Sequence, residues 1–242
     1  IGALSNTLIR DRGVKGVGIK LNEKFSHIKI NNDYIEVGAS LLNMKFAKYA
    51  QKKQIYGYEF LSGIPGTIGG SIKMNAGCYG KEMSDVLHEV TIIDRIKGLH
   101  NLSSKKLNMT YRNTKVSRDS IIISAQLKYC KDNMTSINKF NIKEKRIKSQ
   151  PINKLTGGST FKNPKGYKAW KLIEDAGCRG LSLGGAKVSE MHTNFIINYK
   201  NATANDIESL GNIVRQKVYE NSGIKLEWEI LKIGFSDKRS VS

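Results

Sequence analysis

Residues 62–80, SGIPGTIGGSIKMNAGCYG, carry the first candidate chemistry of this chain. They gather Gly63, Gly66, Gly69, Gly70, Gly77 and Gly80 around Pro65, Thr67 and Asn75. Each glycine loses more backbone freedom on folding than any other residue. Such a cluster therefore implies turns through positive φ, or backbone pressed against a neighbour that a side chain would push away. The opening GALSN, Gly2 to Asn6, has a related make-up. Loops of Gly, Ser and Asn present consecutive N–H groups to an anion, typically a pyrophosphate. Neither GxGxxG nor GxxxxGK[ST] occurs, so on residues alone two anion cradles and a set of tight turns both fit. Cys78, inside the stretch, fits either a reactive thiol or a small residue beside a turn.

The elements that must position these loops follow from periodicity. HIKINNDYIEVGAS (27–40) alternates around NND and predicts a tight hairpin. LLNMKFAKYAQKKQI (41–55) has helical spacing, with Leu42, Phe46 and Tyr49 on one face. HEVTIIDR (88–95) and SIIISAQLKYC (120–130) predict buried or half-buried strands. A basic helix is expected at 136–149, with a domain boundary near Pro151. Beyond it, Ala169, Leu172, Ile173 and Ala176 predict a helix over 168–177, and NFIINYK (194–200) a strand. A second helix is expected over 203–223, with Thr203 as N-cap, Asp206 at N3 and Gly223 past its end. KLEWEILKIGF (225–235) alternates as a closing strand, placing Glu227 and Glu229 on one face and Trp228 and Ile230 on the other. A short polar tail follows. The pattern is α+β, with domains expected at 1–135 and 150–235.

Composition narrows the function classes. The 242 residues, 39% hydrophobic and 25% charged, suffice for a sizeable core, and no apolar run reaches membrane-spanning length. Cys78, Cys130 and Cys178 are widely spaced without any CxxC, which predicts a reducing cytoplasmic setting, no disulfide framework and no metal cluster. A formal charge of +19 raises nucleic acid as a partner, but the lysines are spread along the whole chain. The densest run, KFNIKEKRIKSQ (139–150), reads as a solvated helix face. The expectation is a basic surface suited to an anionic small molecule, with no nucleic-acid and no membrane partner. The opening IGALSNTLIRD lacks an initiator Met and reads as the end of a strand entering a loop, so natural sequence is expected before Ile1.

Longer motifs carry a resemblance. SGIPGTIGGSIKMNAGCYG, GALSNTLIRD, TYRNTKV (110–116), GGSTFKNP (157–164), AWKLIEDAG…LGGAKVSEMHTNFIIN (169–198), ATANDI (202–207) and LEWEILKIG (226–234) together resemble the UDP-N-acetylenolpyruvoylglucosamine reductase (MurB) family, in family order over nearly the whole chain. The resemblance implies a vanillyl-alcohol-oxidase-type FAD-binding domain followed by a smaller α/β substrate-binding domain. It implies NADPH- and FAD-dependent reduction of the enolpyruvyl double bond of UDP-N-acetylglucosamine enolpyruvate to UDP-N-acetylmuramate, with bound FAD and NADPH as co-substrate. Cofactor chemistry of this kind leaves the protein to hold, orient and electrostatically match the reacting atoms. Hydride added to one carbon leaves negative charge on the next, beside a carboxylate, so a cation and a proton donor are required.

By motif position Arg112 would supply the cation, Ser159 the proton, and Glu229 an accompanying carboxylate. Alternation alone does not choose between Glu229 and Glu227. Lys162, Asn163, Lys187, His192 and Asn194 would line the substrate site, although His192 fits a satisfied buried histidine equally well. Gly2, Ala3, Ser5, Asn6, Gly63, Pro65, Gly66, Thr67, Gly69, Gly70, Asn75, Ala76 and Gly77 would hold FAD, with Thr67 and Asn75 offering polar contacts. The expected protein is a cytoplasmic monomer.

Three departures mark this chain. Leu4 stands where the family usually has glycine, which implies crowding at the flavin pyrophosphate or a side chain forced outward. The sequence opens at the loop that holds Leu4, so the family's preceding N-terminal strands are expected before Ile1. The interval from Arg112 to Ser159 is short, like the family type without an extra tyrosine-bearing loop. Rival readings are another flavoprotein oxidoreductase of the same fold, a flavin-free remnant, and a basic nucleic-acid-binding protein.

Overall fold

The computed structural model describes residues 1–117, 119–129 and 140–236. The expectations for Cys130, residues 136–139 and the tail past 236 lie outside them. In chain order the elements that matter are β1 (Thr7–Ile9), β2 (Ile28–Ile30), β3 (Tyr34–Gly38), α1 (Asn43–Lys52), α2 (Ile68–Lys73), β4 (Gly77–Cys78), β5 (Lys81–Glu82), α3 (Met83–Val86), β6 (Leu87–Asp94), β7 (Gly98–Ser103), β8 (Ile121–Lys128) and α4 (Phe140–Ser149). There follow β9 (Leu155–Thr156), α5 (Ala169–Asp175), β10 (Ser182–Leu183), β11 (Ala186–Val188), β12 (Ile196–Asn198), α6 (Ala204–Ser222) and β13 (Leu231–Ile233). They form two compact units. One comprises Ile1–Ala3 with Gly18–Lys145, the other Leu4–Val17 with the chain from Arg146 onward.

The first unit is built on an antiparallel five-stranded sheet of order β2-β3-β8-β6-β7. The NND hairpin forms as its pattern predicts, with Ile28 opposite Val37 and Ile30 opposite Ile35. Ile35, Val37, Leu87, Val90 and Leu127 meet Phe46, Tyr58, Phe60, Ile68 and Ile72 in one core. The inward stripe of α1 differs from the expected Leu42/Phe46/Tyr49 face: Asn43, Phe46, Ala47 and Ala50 are buried, while Leu42 is an exposed N-cap. Asn43 is the reason. Its Nδ2 donates to Ser71 Oγ (2.7 Å) and the Ile64 carbonyl (3.2 Å), drawing the first turn of α1 onto the glycine-rich stretch.

The second unit packs α5 and α6 with the antiparallel sheet β10-β11-β12-β9. Its core holds Phe161, Ile173, Val188, Ile196, Leu210, Val214, Val218 and Leu226. Helix α6 has the predicted ends: Thr203 Oγ1 accepts from Asp206 N, Asp206 Oδ2 accepts from Thr203 N, and Gly223 closes the helix at φ 71°. Each good cap is worth about 1 kcal/mol. Trp228 lies so close that a Cβ at Gly211 of α6 would stand 2.2 Å from its ring.

Residues 4–17 correct the expected boundary at 1–135, because they fold with the second unit. Strand β1 pairs parallel with β13, Thr7 opposite Leu231. Arg10 clasps Glu208 of α6 bidentately (2.8 and 2.9 Å), and Lys232 reaches the same carboxylate at 2.8 Å. Asp11 accepts from the first two amides of α6, Ala204 and Asn205 (2.8 and 2.9 Å), an anion at the positive end of the helix. The closing strand is also shorter than its alternation suggests. Leu231–Ile233 form β13, and Trp228 makes an isolated bridge with Phe161, with Leu226 and Ile230 still pointing inward. Among the described residues no helix is long and apolar enough to cross a membrane.

Candidate active site

The glycine-rich stretch folds as a series of turns around α2. Gly66 has φ 122°, and Asn75, Tyr79 and Gly80 also take positive φ. Other glycines there answer to the protein itself. A Cβ at Gly77 would lie 2.5 Å from the Lys81 carbonyl, one at Gly69 2.9 Å from Ala39 Cβ and one at Gly63 2.8 Å from the Cys78 sulfur. Cys78 is thus the small residue beside a turn, its thiol donating to the Phe60 carbonyl (3.0 Å). The first amides of α2 are already used: Ile68 N and Gly69 N donate to Leu41 and Ala39 carbonyls, and Gly70 N to Thr67 Oγ1.

The opening loop comes up beside them. Gly2 lies against Thr67, where a Cβ on Gly2 would come within 2.9 Å of Thr67 Oγ1. The N–H groups of Gly2, Ala3, Gly66 and Thr67 have no acceptor among the described residues. Only Thr67 among them is buried, and a buried backbone donor is rarely left without a partner, so its amide, with Gly2 against it, suits an anionic group such as a flavin pyrophosphate.

Several residues expected at the cofactor have side chains or backbone groups already engaged within the fold. Asn75 is fully buried, and its amide is committed, Nδ2 donating to the Thr110 carbonyl (3.0 Å) and Oδ1 accepting from Ser84 N (2.9 Å). Ala76 is buried, its N–H donating to the Ser71 carbonyl and its carbonyl accepting from Met83 N. The Thr67 hydroxyl caps α2, leaving its backbone N–H as the polar contact it offers. Ser5 and Asn6 belong to the second unit, and Asn6 Nδ2 donates to the Glu229 carbonyl (3.0 Å). Leu4 also lies there, at φ 58°. It lines a hollow with Leu8, Leu155, Ile196, Ile207 and Ile230.

Arg112 sits in the first unit, at the tip of a two-residue turn closed by paired Thr110 and Asn113 backbone bonds (3.0 Å each). Its φ is 54°. Nη2 donates to the Gly77 carbonyl (2.9 Å) and Nη1 to the Asn75 carbonyl (3.4 Å), while its Cζ lies 4.8 Å from the Tyr111 ring centre. The guanidinium is half-buried and aimed by the glycine-rich stretch.

Ser159 and Glu229 sit in the second unit on neighbouring segments. The Phe161–Trp228 bridge is flanked by Lys162 N donating to the Glu227 carbonyl and Glu229 N to the Thr160 carbonyl (2.9 Å each). Asn194, proposed from sequence as a site-lining residue, is instead a buried clamp. Its Oδ1 accepts from Phe161 N (2.9 Å), its Nδ2 donates to the Phe161 carbonyl (2.8 Å), and its own carbonyl accepts from Thr160 N (2.8 Å). That clamp fixes the backbone next to Ser159, which is half-buried and whose hydroxyl has no partner among the described residues. The two glutamates now differ: Glu227 has a 75% exposed side chain 3.3 Å from Lys162 Nζ, whereas Glu229 is half-buried.

The remaining candidates spread out. Asn163 Oδ1 caps the first amide of α5, Ala169 N (2.9 Å). Lys187 on β11 pairs with Glu190, which holds its ammonium above the ordinary lysine range. His192 packs between Trp170 and Phe195, 6.4 and 4.8 Å between ring centres, and its Nδ1 accepts from Asn194 N (3.3 Å). Burial pushes its pKa down, so it is a neutral packed histidine at neutral pH. Sequence reasoning missed Arg10, Asp11 and Glu208, which anchor the segment following the Gly2–Asn6 loop. The RD and DIES pairs were visible, but nothing local told that they meet. Among the described residues no group of three or more His, Cys, Asp or Glu could hold a metal.

Known proteins match both units. A family model described as "FAD binding domain" matches residues 1–101, and one described as "UDP-N-acetylenolpyruvoylglucosamine reductase, C-terminal domain" matches residues 150–233. The UDP-N-acetylenolpyruvoylglucosamine reductase of Rickettsia bellii (strain RML369-C) is 47% identical across the whole of this chain and 81% of its own length. That of Rickettsia conorii is 48% identical over 96% of this chain and 80% of its own. The crystal structure of the Thermus caldophilus reductase (MurB) superposes with a TM-score of 0.83 at 31% identity, covering 95% of this chain and 83% of that one. The chain belongs to the UDP-N-acetylenolpyruvoylglucosamine reductase family.

Proposed function

We propose that this chain catalyses the NADPH- and FAD-dependent reduction of UDP-N-acetylglucosamine enolpyruvate to UDP-N-acetylmuramate, a step of cell-wall precursor synthesis. The reading rests chiefly on whole-length likeness to reductases of that name, with a flavin-domain match on the half that holds Gly2 and Thr67. The amides of Gly2, Ala3, Gly66 and Thr67 are the groups that would hold the cofactor's phosphates. Bound FAD would supply hydride, taken from NADPH, to the enolpyruvyl carbon.

The protein's own part is electrostatic and protonic. Arg112 would bind the substrate carboxylate and offset charge growing on the adjacent carbon, where a fixed cation in a half-buried site is far more effective than in water. Ser159 would give its hydroxyl proton to that carbon. A serine is a weak acid, but a carbanion beside a carboxylate is basic enough to take its proton. Glu229 would accompany these two as the more buried of the two carboxylates in LEWEI, and Lys162 would add positive charge for the anionic substrate.

Two observations test the reading together. The purified protein should show flavin absorbance that NADPH bleaches. Supplied with the enolpyruvyl sugar nucleotide, it should yield a product carrying one added hydride and one added proton by mass spectrometry. A flavin-loaded protein that bleaches yet leaves this substrate unchanged would favour another oxidoreductase of the same fold. A colourless protein that binds no added FAD would overturn the reading.

A further inference from the structure

Asn75 stands apart in the glycine-rich stretch because both polar atoms of its side chain are engaged by the protein's own backbone. It is fully buried at φ 44°, a conformation that Asn adopts more readily than most residues. Its Nδ2 holds the Thr110 carbonyl, at the base of the turn whose tip is Arg112. Its Oδ1 holds Ser84 N, at the start of α3. Its own backbone carbonyl faces Arg112 Nη1, and two residues on, the Gly77 carbonyl accepts from Arg112 Nη2. Gly77 keeps that place because any side chain there would meet Lys81 and Glu82.

We infer that Asn75 is the positioning residue of Arg112: one buried amide fixes both the turn that carries the arginine and the carbonyls that aim its guanidinium. Two routes converge on the same side chain. From the arginine's own side, the bond to Thr110 sets where the Arg112 backbone lies, at a left-handed φ of 54° that the turn must enforce. From the opposite side, the left-handed turn at Asn75 presents the Asn75 and Gly77 carbonyls to the guanidinium plane. A guanidinium binds a carboxylate through a planar fork, so its orientation matters as much as its presence. The inference rests on the proposed role of Arg112.

The test is a double-mutant cycle on the FAD-loaded enzyme, using Asn75→Gly, which keeps access to positive φ but deletes the amide, and Arg112→Ala. NADPH bleaching of the flavin and its recolouring by the enolpyruvyl substrate are followed separately in single turnover. Asn75→Gly should retain flavin and slow recolouring by about tenfold or more, the scale expected when a reacting group is displaced by an ångström or less. In the Arg112→Ala background the same change should add almost nothing, a coupling that a purely structural residue would not produce. Additive losses, or release of flavin by Asn75→Gly, would overturn the inference. Normal recolouring in Arg112→Ala would overturn the Arg112 reading and this inference with it. Normal recolouring in Asn75→Gly alone would overturn only the inference. If Asn75→Gly does not fold, Asn75→Asp carries the same cycle, and failure of both to fold would mark Asn75 as a scaffold residue only.

Discussion

The two units hold the residues proposed for catalysis by different means. Around Arg112 the first unit uses unusual backbone: left-handed φ at Gly66, Asn75, Tyr79, Gly80 and Arg112, with carbonyls turned onto the guanidinium. Around Ser159 the second unit uses a side-chain amide: Asn194 brackets Phe161, two residues on from Ser159, at both its N–H and its carbonyl, in the manner of a strand neighbour. Both lean on a buried asparagine amide, Asn75 in the first unit and Asn194 in the second, but only the first couples it to left-handed turns. Turns tolerate surface change but depend on particular residues at particular dihedrals. A clamp depends on the two hydrogen bonds of one side chain.

The contrast makes graded predictions. Asn194→Ala should be the most damaging to stability, since it strands the Phe161 N–H and carbonyl in the interior, each worth about 1–3 kcal/mol when left unpaired. A loss of about 3 kcal/mol in urea unfolding is expected; a loss below about 1 kcal/mol would mean that the clamp is not what holds the Ser159 segment.

Glu208→Gln comes next, costing about 2 kcal/mol by weakening charge-assisted bonds to Arg10 and Lys232. The hydrogen bond from Arg10 first, helped by Lys232 and opposed by burial, holds the Glu208 carboxyl at about 2, below its ordinary 4.5. A depressed carboxylate stabilises fully above the unfolded value, and that contribution fades as the pH falls from about 4.5 through about 2. Wild-type and variant stabilities should therefore converge on acidification across that window. Parallel curves there would contradict the assignment.

Thr203→Ala should cost about 1 kcal/mol through the lost cap of α6, measured by the same unfolding assay. Smallest is Leu4→Gly. Relief of a left-handed leucine, about 1–2 kcal/mol, is set against greater chain entropy and lost apolar contact in the hollow. Because Leu4 lines the hollow, FAD affinity should change by less than about threefold, within about 0.7 kcal/mol. A tightening of about tenfold in fluorescence titration would show instead that Leu4 crowds the cofactor.

Much of this molecule is legible from local pattern. The NND hairpin, α6 with its capping box and terminal glycine, and the α5 stripe all follow from side-chain period and cap chemistry. What the pattern could not supply is non-local. Residues 4–17 join the far end of the chain because Arg10 and Asp11 meet Glu208 and the start of α6, nearly 200 positions away. The burial of Asn43 in α1 needed knowledge that it finds Ser71. At the site, motif position named Arg112, Ser159 and Glu229, but left-handed φ at an arginine has no sequence signature. For the same reason Asn75, Ala76 and Asn194 read as ligand contacts when their polar groups are spent inside the fold. The glycines of 62–80 divide likewise: Gly66 takes positive φ beside Thr67, whereas Gly63, Gly69 and Gly77 make room for the chain's own atoms.

The central claim is that this fold separates the source of hydride from the source of the proton, with Ser159 serving only the second. Single-turnover kinetics of Ser159→Ala test it most directly. Bleaching of the bound flavin by NADPH should stay within about twofold of wild type, while recolouring by the enolpyruvyl substrate should slow by about 100-fold or more, the scale of a lost proton donor. If both steps fell together, or recolouring kept its wild-type rate, Ser159 would not be the proton donor.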